Sequence, residues 1–418
     1  MLTLENGVSR RALAFEPGIQ VGDEVVSKTF QPSYVITETG ALLVFCQGRL
    51  RGGGDDAPKV VLMNRSNDRG ETWEGARAIT PPLHHYAVTA YASPRGDGER
   101  ISFLTPVGLS LTKDYYGEDE DVIREKAGID LDAVGRHTTS VLCRFYSDDD
   151  GKTWQQEVLS GDKSPLNTTF GEMVPVFFNP IGQGHTIEAG PYKGRKIIAG
   201  PVRACPAGKT TSDDFRAYKG VGSGVIYSDD GGETWQMGGI SADYLGNEAS
   251  AASIRGGEEL LMIRRLMAYE VQDRHPPKFD ISPQRDERVA NISRDGGATW
   301  SDPFLLKISS ITCHGTLTRL GNRLYFSIPD VVGQPPCEQS GADRKWGTIY
   351  FSDDDGAHWS RARIEEGLFS YSTVGALTEE VRITFYARGV HGDQGIGYRL
   401  FTDEWLDRTA VSAGSAKG

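Results

Sequence analysis

The sequence has few of the features that mark several common protein classes. Its five cysteines are widely spaced and form no Cys-x-x-Cys pair, which excludes a disulfide framework and a cysteine-based zinc site. Its most apolar windows, such as ALLVFC at 41–46, have the length of a strand and are too short to span a membrane. A formal net charge of −12 argues against a nucleic-acid partner or an anionic membrane surface. We expect neither partner, and we expect no metal ion and no cofactor.

The beginning of the sequence also lacks the pattern of a secretory leader. The residues MLTLENGVSRRALAFEPG contain no uninterrupted apolar core after a basic cluster, so they are not typical of a signal peptide. We expect a cytoplasmic location, whereas removal of a leader ahead of this sequence would make the protein secreted or periplasmic. The sequence gives no indication of the oligomeric state.

What the sequence does contain is a repeated octapeptide of the form S-x-D-x-G-x-T-W. Its copies are SNDRGETW (66–73), SDDDGKTW (147–154), SDDGGETW (228–235), SRDGGATW (293–300) and SDDDGAHW (352–359). They begin 81, 81, 65 and 59 residues apart. Self-similarity at this spacing is typical of repeat architectures. Helical periodicity is rare by comparison, and one short helix is expected within KDYYGEDEDVIREKAG (113–128).

Each copy follows a short β-rich run, and its composition is that of a hairpin turn. The aspartate at the third position can accept hydrogen bonds from the turn's amides, the glycine permits a positive φ, and the tryptophan can pack back on the sheet. Repeated sheets with one marker turn each predict an all-β fold, a six-bladed β-propeller forming one domain over 1–418. Blades are expected near 30–80, 85–160, 170–240, 245–305, 310–365 and 370–405. A β-sandwich array fits less well, because successive sandwich domains need a longer spacing.

The octapeptide is the Asp box, also called the BNR repeat, and the segments between its copies resemble the exo-α-sialidase (neuraminidase) family over nearly the whole chain. The resemblance is carried by GALLVFCQGR (40–49), GQGHTIEAGPYKGRKIIAGPV (182–202), GNEASAASIRGGEELLMIR (246–264), CHGTLTRLGNRLYFSIP (313–329), RKWGTIYFSDDDG (344–356) and FSYSTVGAL (369–377). The box alone does not give a function, because non-enzymatic binding proteins share it.

The resemblance implies a set of catalytic residues. Tyr371, in FSYSTVGAL, corresponds to the family's nucleophilic tyrosine, and Glu248 to the base that activates it. The acid/base that protonates the leaving oxygen would be an aspartate of the glycine-rich loop GRLRGGGDDAPK, either Asp55, which we favour, or Asp56. A raised pKa would suit that aspartate to the acid role near neutral pH.

Arginines would recognise the substrate carboxylate, because a guanidinium can bind a carboxylate through two hydrogen bonds. Arg264 and Arg344 match two of the three arginines that the family uses. Arg265 competes with Arg264, since alternation along a strand lets only one of the two face the centre. Arg49, which ends the first matched segment, is a further candidate for substrate binding, and its alternative is a structural or peripheral role.

The third arginine of the family is missing from this chain. The first strand contains TFQPSY (29–34), so the position is occupied by Phe30 or Gln31. The glutamate that braces this arginine in the family is also missing, because the last blade contains FYARG (385–389). We hypothesise that Arg388 reaches the carboxylate pocket and replaces the missing charge.

The resemblance implies a retaining exo-glycosidase that removes a terminal α-linked sialic acid, or a related 2-keto-3-deoxy ulosonic acid, from a glycan. The changed arginine set makes Kdn-like or Kdo-like acids more plausible substrates than for an ordinary sialidase. The alternatives are a non-catalytic carbohydrate-binding propeller and a propeller glycosidase or lyase that acts on another acidic glycan. Retention of both Tyr371 and Glu248 favours the hydrolase, because a pure binder has no need of the pair.

Overall fold

Six antiparallel sheets follow one another along the chain, each with four to six strands. The computed structural model describes residues 3–55, 57–83, 87–96, 98–108, 116–117, 119–130, 140–167, 173–206, 221–241, 246–266, 287–309, 313–330, 344–388 and 395–415. The predicted all-β, six-bladed propeller is confirmed. The expected short helix is present as α1 (Glu120–Ala127), which is capped at its start by the carboxylate of Asp119 and ends at Gly128 with a φ of 66°.

The strands of each blade are consecutive in the chain, apart from the additions described below. The first five short strands are β1 (Leu4–Glu5), β2 (Val8–Ser9), β3 (Ala12–Phe15), β4 (Gln20–Val21) and β5 (Glu24–Val25). The first blade contains β6 (Lys28–Ile36), β7 (Leu42–Arg49), β8 (Lys59–Ser66) and β9 (Arg77–Ala78). The second contains β10 (Thr89–Arg95), β11 (Gly98–Gly108), β12 (Ser140–Ser147) and β13 (Gln155–Leu159). The third contains β14 (Met173–Phe178), β15 (His185–Thr186), β16 (Lys196–Pro206), β17 (Val221–Ser228) and β18 (Gln236–Ser241).

The remaining blades follow the same order. The fourth contains β19 (Gly246–Ile254), β20 (Glu259–Leu266), β21 (Glu287–Ser293) and β22 (Phe304–Ser309). The fifth contains β23 (Thr316–Leu320), β24 (Arg323–Pro329), β25 (Lys345–Ser352) and β26 (His358–Leu368). The sixth contains β27 (Ser372–Ala376), β28 (Val381–Ala387) and β29 (Ile396–Thr402). Two further elements end the chain, the helix α2 (Asp403–Thr409) and β30 (Val411–Ser415).

The two ends of the chain complete the last two blades. In the sixth blade, β2 and β3 both pair with β29, so residues from the start of the chain extend the sheet formed near its end. In the fifth blade, β30 pairs with the outer edge of β26. The sixth blade was expected from residues 370–405 alone, without these additions. Pairing of the start of the chain with β29 completes the sixth sheet and so closes the ring of blades.

The Asp boxes form turns with the predicted chemistry. In the third copy, the Ser228 hydroxyl donates to Oδ1 of Asp230 over 2.7 Å, and the same oxygen accepts from the Thr234 amide over 2.9 Å. The tryptophan was expected to pack on its own sheet, and it also contacts the preceding blade: the ring of Trp235 lies edge-on to Tyr91, with centroids 5.4 Å apart. The box therefore fastens neighbouring blades together.

The topology brings one end of every sheet to the same face of the ring. First and third strands begin at this face and second strands end there, because neighbouring strands are antiparallel. The first strands also pack on one another, since β6 contacts β10 and β27, and β23 contacts β19 and β27. Residues that begin a first strand or end a second strand are therefore neighbours in space, although they are far apart in sequence. No helix in the described ranges is long and apolar enough to cross a membrane.

Candidate active site

Two polar side chains from different blades meet at this face of the ring. Tyr371 immediately precedes β27, and Glu248 lies in β19. The Tyr371 hydroxyl donates a short hydrogen bond to Oε1 of Glu248. The register of β19 against β20 shifts between Gly246 and Ala249, so Glu248 lies in a bulge at the end of the regular ladder. The fold thus brings together the two residues that the sequence analysis named as nucleophile and base.

Burial and neighbouring charges set the protonation states of this pair. Burial raises the pKa of the Tyr371 hydroxyl well above its usual value, and the negative charge of Glu248 adds to the increase. Burial would also raise the pKa of the Glu248 carboxyl, but the charge of Arg265 and the hydrogen bond from Tyr371 outweigh it and lower this pKa. At neutral pH the phenol is protonated and the carboxylate is ionised. This is the state in which Glu248 can accept the phenolic proton.

Arg265 supplies the positive charge that stabilises the buried carboxylate. Its Nη1 donates to Oε2 of Glu248 over 2.6 Å and to the Tyr371 hydroxyl over 3.1 Å. Arg264 is fully buried on the other side of the strand, where its Nη1 donates to the Ser241 hydroxyl over 2.8 Å. The structure therefore places Arg265, rather than Arg264, beside Glu248 and Tyr371.

The physical reason is the strand register. Arg264 is directly opposite Ala249, so these two side chains share one face of the sheet. Glu248 and Arg265, each one residue away, share the opposite face. Because side chains alternate between the two faces of a strand, the pairing of Arg264 with Ala249 is enough to place Arg265 and Glu248 on the same face.

The ring of Tyr371 is enclosed by three further side chains. Phe30 packs against it with ring centroids 4.5 Å apart, and His314 stacks on it at 5.9 Å with an interplanar angle of 21°. The guanidinium carbon of Arg344 lies 5.2 Å from the ring centre, and its Nη1 donates to the Ser370 hydroxyl over 3.1 Å. These contacts fix the orientation of the phenol, and they place Arg344 beside Tyr371 in the region expected for substrate recognition.

The first blade places two cations over the ring of Phe30. Lys28 lies directly opposite Arg49 in the ladder of β6 and β7, and both side chains are buried. The Lys28 ammonium lies 4.2 Å from the centre of the Phe30 ring, and the Arg49 guanidinium carbon lies 5.0 Å from it. Arg49 also donates to Gln47 over 2.7 Å and forms a 2.7 Å ion pair with Asp55. The ring of Phe30 therefore contacts both this cationic pair and Tyr371.

Asp55 is ionised in this structure, which corrects the expectation of a raised pKa. Its side chain is 96% exposed apart from the ion pair with Arg49. Partial desolvation would raise the pKa of the carboxyl, but the charge and hydrogen bond of Arg49, with the charges of Lys59 and Lys28, lower it below its ordinary value. Asp56, the other candidate for the acid, lies outside the described residues.

Gln31 and Arg388 are the remaining candidates from the sequence. Gln31 is buried at a bulge of β6 with a φ of 54°, and its Oε1 has no hydrogen-bond partner among the described residues. A non-glycine residue in this conformation costs about 1–3 kcal/mol, and such strain is often found at functional sites. Arg388 follows β28 directly, and the amide of the preceding Ala387 donates to the carbonyl of Tyr371 over 3.0 Å. A contact between the Arg388 guanidinium and a substrate carboxylate stays a prediction.

Two residues of the site were not found by sequence reasoning. Lys28 is two positions before Phe30 in a strand, so the two side chains share a face of the sheet. A lysine in a strand with several apolar residues is the feature of the sequence that could have indicated its place in the site. His314 closely precedes the first strand of the fifth blade, as Tyr371 does that of the sixth. Burial lowers the pKa of His314 to about 4, so its ring is neutral at pH 7. Within the described ranges, no three histidine, cysteine, aspartate or glutamate residues are grouped to hold a metal ion.

Replacement of Arg265 by methionine is expected to destabilise the protein in a pH-dependent way. Wild-type Glu248 has a lowered pKa and stabilises the fold above pH 4.5, an effect lost as pH falls through the folded pKa. Without Arg265 the buried carboxylate has lost its partner, which costs about 3–5 kcal/mol at pH 7. The loss of unfolding free energy becomes smaller towards pH 4.5, because protonation of Glu248 removes the unpaired charge. Urea unfolding at both pH values measures the difference.

The matched control is Arg264→Met, which removes a buried guanidinium whose described partner is a hydroxyl. The loss of unfolding free energy in this variant should be the same at both pH values. Adding Glu248→Gln to Arg265→Met should restore part of the stability. Equal deficits for the two arginine variants at every pH would contradict the assignment of Arg265 as the partner of Glu248.

Comparison with known proteins links both the repeats and the fold to sialidases. The BNR/Asp-box repeat family matches residues 145–156 and 226–237. The chain is 27% identical to a sialidase of Paraclostridium sordellii over 78% of its own length and 70% of that protein. It is 23% identical to the anhydrosialidase of Macrobdella decora, over 66% of the chain but only 32% of that protein.

A Hadza microbial sialidase of known structure matches with a TM-score of 0.64 and 18% identity, and the match covers 91% of the chain and 66% of the sialidase. The chain thus spans about two thirds of that structure and about a third of the Macrobdella decora protein. The chain is therefore a six-bladed Asp-box propeller that is related in sequence and similar in fold to sialidases.

Proposed function

We propose that the protein is a retaining exo-glycosidase that hydrolyses a terminal α-linked sialic acid, or a related 2-keto-3-deoxy ulosonic acid, from a glycoconjugate. The observation that carries the proposal is the buried contact of Tyr371 with Glu248 and Arg265. The relationship to sialidases supports a glycosidase of this type. A carbohydrate-binding scaffold does not require a buried phenol to be hydrogen-bonded to an ionised carboxylate.

The substrate's own charge explains the use of a phenol. A sialic acid bears its carboxylate on the anomeric carbon, so an anionic nucleophile approaching that carbon would be repelled, and tyrosine is the nucleophile known in sialidases. The protonated Tyr371 avoids this repulsion, because its proton passes to Glu248 only as the new bond forms. Arg265 touches both groups, so it can stabilise the phenolate that develops and the carboxylate before it accepts the proton.

The reaction proceeds in two displacements. In the first, the Tyr371 oxygen forms a bond to the anomeric carbon, the glycosidic carbon–oxygen bond breaks, and the leaving oxygen takes a proton from the general acid. In the second, water attacks the same carbon, releases Tyr371 and gives its proton to the deprotonated general acid. Glu248 returns the first proton to the phenolate. Two inversions at one carbon give overall retention.

Asp55 is our candidate for the general acid, although it is ionised in this structure. Arg49 holds its carboxylate in an ion pair and lowers its pKa. A substrate carboxylate that binds near Arg49 adds negative charge there, which weakens the ion pair and raises the pKa of Asp55. Left-handed glycines at 52 and 53 allow the loop to reorient, so a released Asp55 can approach the leaving oxygen.

The substrate carboxylate is proposed to bind beside Arg344, with Arg265 and Arg49 nearby. Arg344 lies over the ring of Tyr371, and Arg265 contacts its hydroxyl, so both guanidinium groups surround the nucleophile. Gln31 and Arg388 stay candidates for further contacts at the same face. Together with the buried cations of the first blade, these residues form a positively charged site on a protein with a net charge of −12.

Replacement of Tyr371 by phenylalanine should abolish turnover. Removal of the nucleophilic oxygen is expected to lower kcat by at least about 1,000-fold, whereas the shape of the pocket is retained. The measurement is release of the fluorescent alcohol from 4-methylumbelliferyl α-glycosides of N-acetylneuraminic acid, Kdn and Kdo. Tyr34→Phe is the matched control, because Tyr34 is a buried tyrosine whose hydroxyl donates to the Ala376 carbonyl, away from the site.

Each outcome of this panel separates one function from another. Turnover by wild type and Tyr34→Phe, but not by Tyr371→Phe, supports the hydrolase and identifies its sugar acid. Binding of these acids without turnover would favour a carbohydrate-binding propeller, and release of an unsaturated product would favour a lyase. Full activity of Tyr371→Phe would contradict the proposed nucleophile.

Replacement of Asp55 by asparagine should slow the reaction in a way that depends on the leaving group. Loss of the general acid is expected to reduce kcat/KM by about 100- to 10,000-fold for a sialyl-lactose-type linkage, whose alkoxide is a poor leaving group. An aryl glycoside, whose phenolate leaves without protonation, should be affected far less. Steady-state measurements of kcat/KM on both substrates give the fold-reduction for each linkage, and the two are compared. Asp56→Asn is the control, and a selective loss in that variant instead would identify Asp56 as the acid.

A further inference from the structure

The pairing of Lys28 with Arg49 is unusual for two buried side chains. They are direct neighbours in the ladder of β6 and β7, and their relative exposures are 6% and 5%. Like charges directly opposite each other in a sheet are destabilising. Such an arrangement in the core of a blade needs a nearby negative charge. The structure shows one source of it, the exposed carboxylate of Asp55 beside Arg49.

Lys28 is coupled to the candidate active site as well as to Arg49. Its ammonium lies over Phe30, and the ring of Phe30 packs on the ring of Tyr371. The charged groups that act on Lys28 are Arg49 from the neighbouring strand, Arg344 from the fifth blade and Asp55 from the loop. Three cations thus lie close together beside Phe30 and Tyr371, and the carboxylate of Asp55, which acts on Lys28 from the loop, is exposed.

We infer that Lys28 is an anion-binding residue of this pocket and that its ammonium, with Arg49 and Arg344, holds the carboxylate of the acidic sugar. The inference rests on the proposed function and adds a residue that determines its specificity. A bound carboxylate would add negative charge beside the buried cations Lys28, Arg49 and Arg344. It would lie next to the Phe30 ring, which contacts both Lys28 and Tyr371, and so within reach of Tyr371.

A lysine makes this pocket different from one built of arginines alone. An ammonium is a compact point charge that cannot form the planar two-point contact of a guanidinium, so it tolerates more orientations of the carboxylate. It also titrates in an accessible range. Burial first, and then the charges of Arg49 and Arg344, lower the pKa of Lys28 to about 8, with Asp55 opposing them.

The sign of the pH effect follows from this value. Below pH 8 the ammonium is charged and can bind the carboxylate, and above pH 8 it loses its proton and the attraction weakens. A bound anion favours the charged form and raises the pKa of Lys28. Binding near pH 8.5 is therefore accompanied by proton uptake. An arginine at the same position would remain charged, so no uptake would occur.

Isothermal titration calorimetry with a non-hydrolysable acid tests the inference directly. The probe is 2-deoxy-2,3-didehydro-N-acetylneuraminic acid, with its Kdn counterpart as a second probe and the carboxamide of each sugar as the uncharged comparison. Lys28→Met should weaken binding of the acid by about 10- to 100-fold at pH 7, the size expected for a lost hydrogen bond to a charged group. Binding of the carboxamide should change little.

Proton uptake gives a second readout that a merely structural role would not move. Titrations at pH 8.5 in buffers of different ionisation enthalpy should show uptake with the wild type. Lys28→Arg should keep the affinity and show no uptake from this position. Lys28→Gln repeats the test of Lys28→Met if the methionine variant unfolds, and circular dichroism reports on the fold of each.

Lys196→Met is the matched control for removal of a partly buried lysine. Lys196 lies in β16, its ammonium donates to the Ala92 carbonyl over 2.8 Å, and it lies 5.7 Å from the centre of the Tyr91 ring. It takes no part in the site, so its loss should leave both affinity and proton uptake unchanged. Arg388→Met tests the alternative, because the sequence predicts that Arg388 replaces the missing charge.

The outcomes separate this inference from the proposed function. If Lys28→Met binds the acid as tightly as wild type, or if Arg388→Met alone loses affinity, the role of Lys28 is wrong and the hydrolase stands. If wild type binds none of the acids, the inference and the proposed function both fail. If binding depends on Lys28 but no glycoside is turned over, the inference stands and the hydrolase is contradicted.

Discussion

The hydrogen bond between Tyr371 and Glu248 is the interaction on which the rest of the account depends. It joins the sixth blade to the fourth, across a residue separation of 123, and both side chains are buried. A buried carboxylate is tolerated only with a compensating charge, which Arg265 provides over 2.6 Å. The ring of blades therefore has to close before the site can exist, and pairing of the first strands of the chain with β29 is what closes it.

The repeated octapeptide serves this scaffold rather than the chemistry. The boxes form turns at the opposite end of the strands from Tyr371, and three of their tryptophans pair with an aromatic ring of the preceding blade: Trp73 with Tyr398, Trp154 with Phe45 and Trp235 with Tyr91. Aromatic pairs of this kind contribute about 0.5–1.5 kcal/mol beyond their buried area. At these three junctions they help to hold neighbouring sheets in the positions that bring the ends of their inner strands together. Specific chemistry then lies in the residues between the boxes.

Single segments of the sequence were enough to predict the fold and to name two residues that the structure brings into contact. The boxes predicted the propeller, and the segments FSYSTVGAL and GNEASAASI led to Tyr371 and Glu248. The sequence did not suffice where the answer depended on register or on long-range charge. The choice between Arg264 and Arg265 requires the pairing of β19 with β20. The lowered pKa of Asp55 comes from Arg49, Lys59 and Lys28, and the segment that contains Asp55 does not reveal how close they lie.

The central claim is that Tyr371 forms a bond to the anomeric carbon of an acidic sugar. A 2,3-difluoro derivative of the ulosonic acid tests it most directly, because its fluorine at C2 is a good leaving group and its fluorine at C3 slows hydrolysis of a covalent intermediate. The account predicts that mass spectrometry finds one sugar per protein on the peptide containing Tyr371, and none on the Tyr371→Phe variant. An adduct on a carboxylate, or turnover of natural substrates without any adduct, would contradict it.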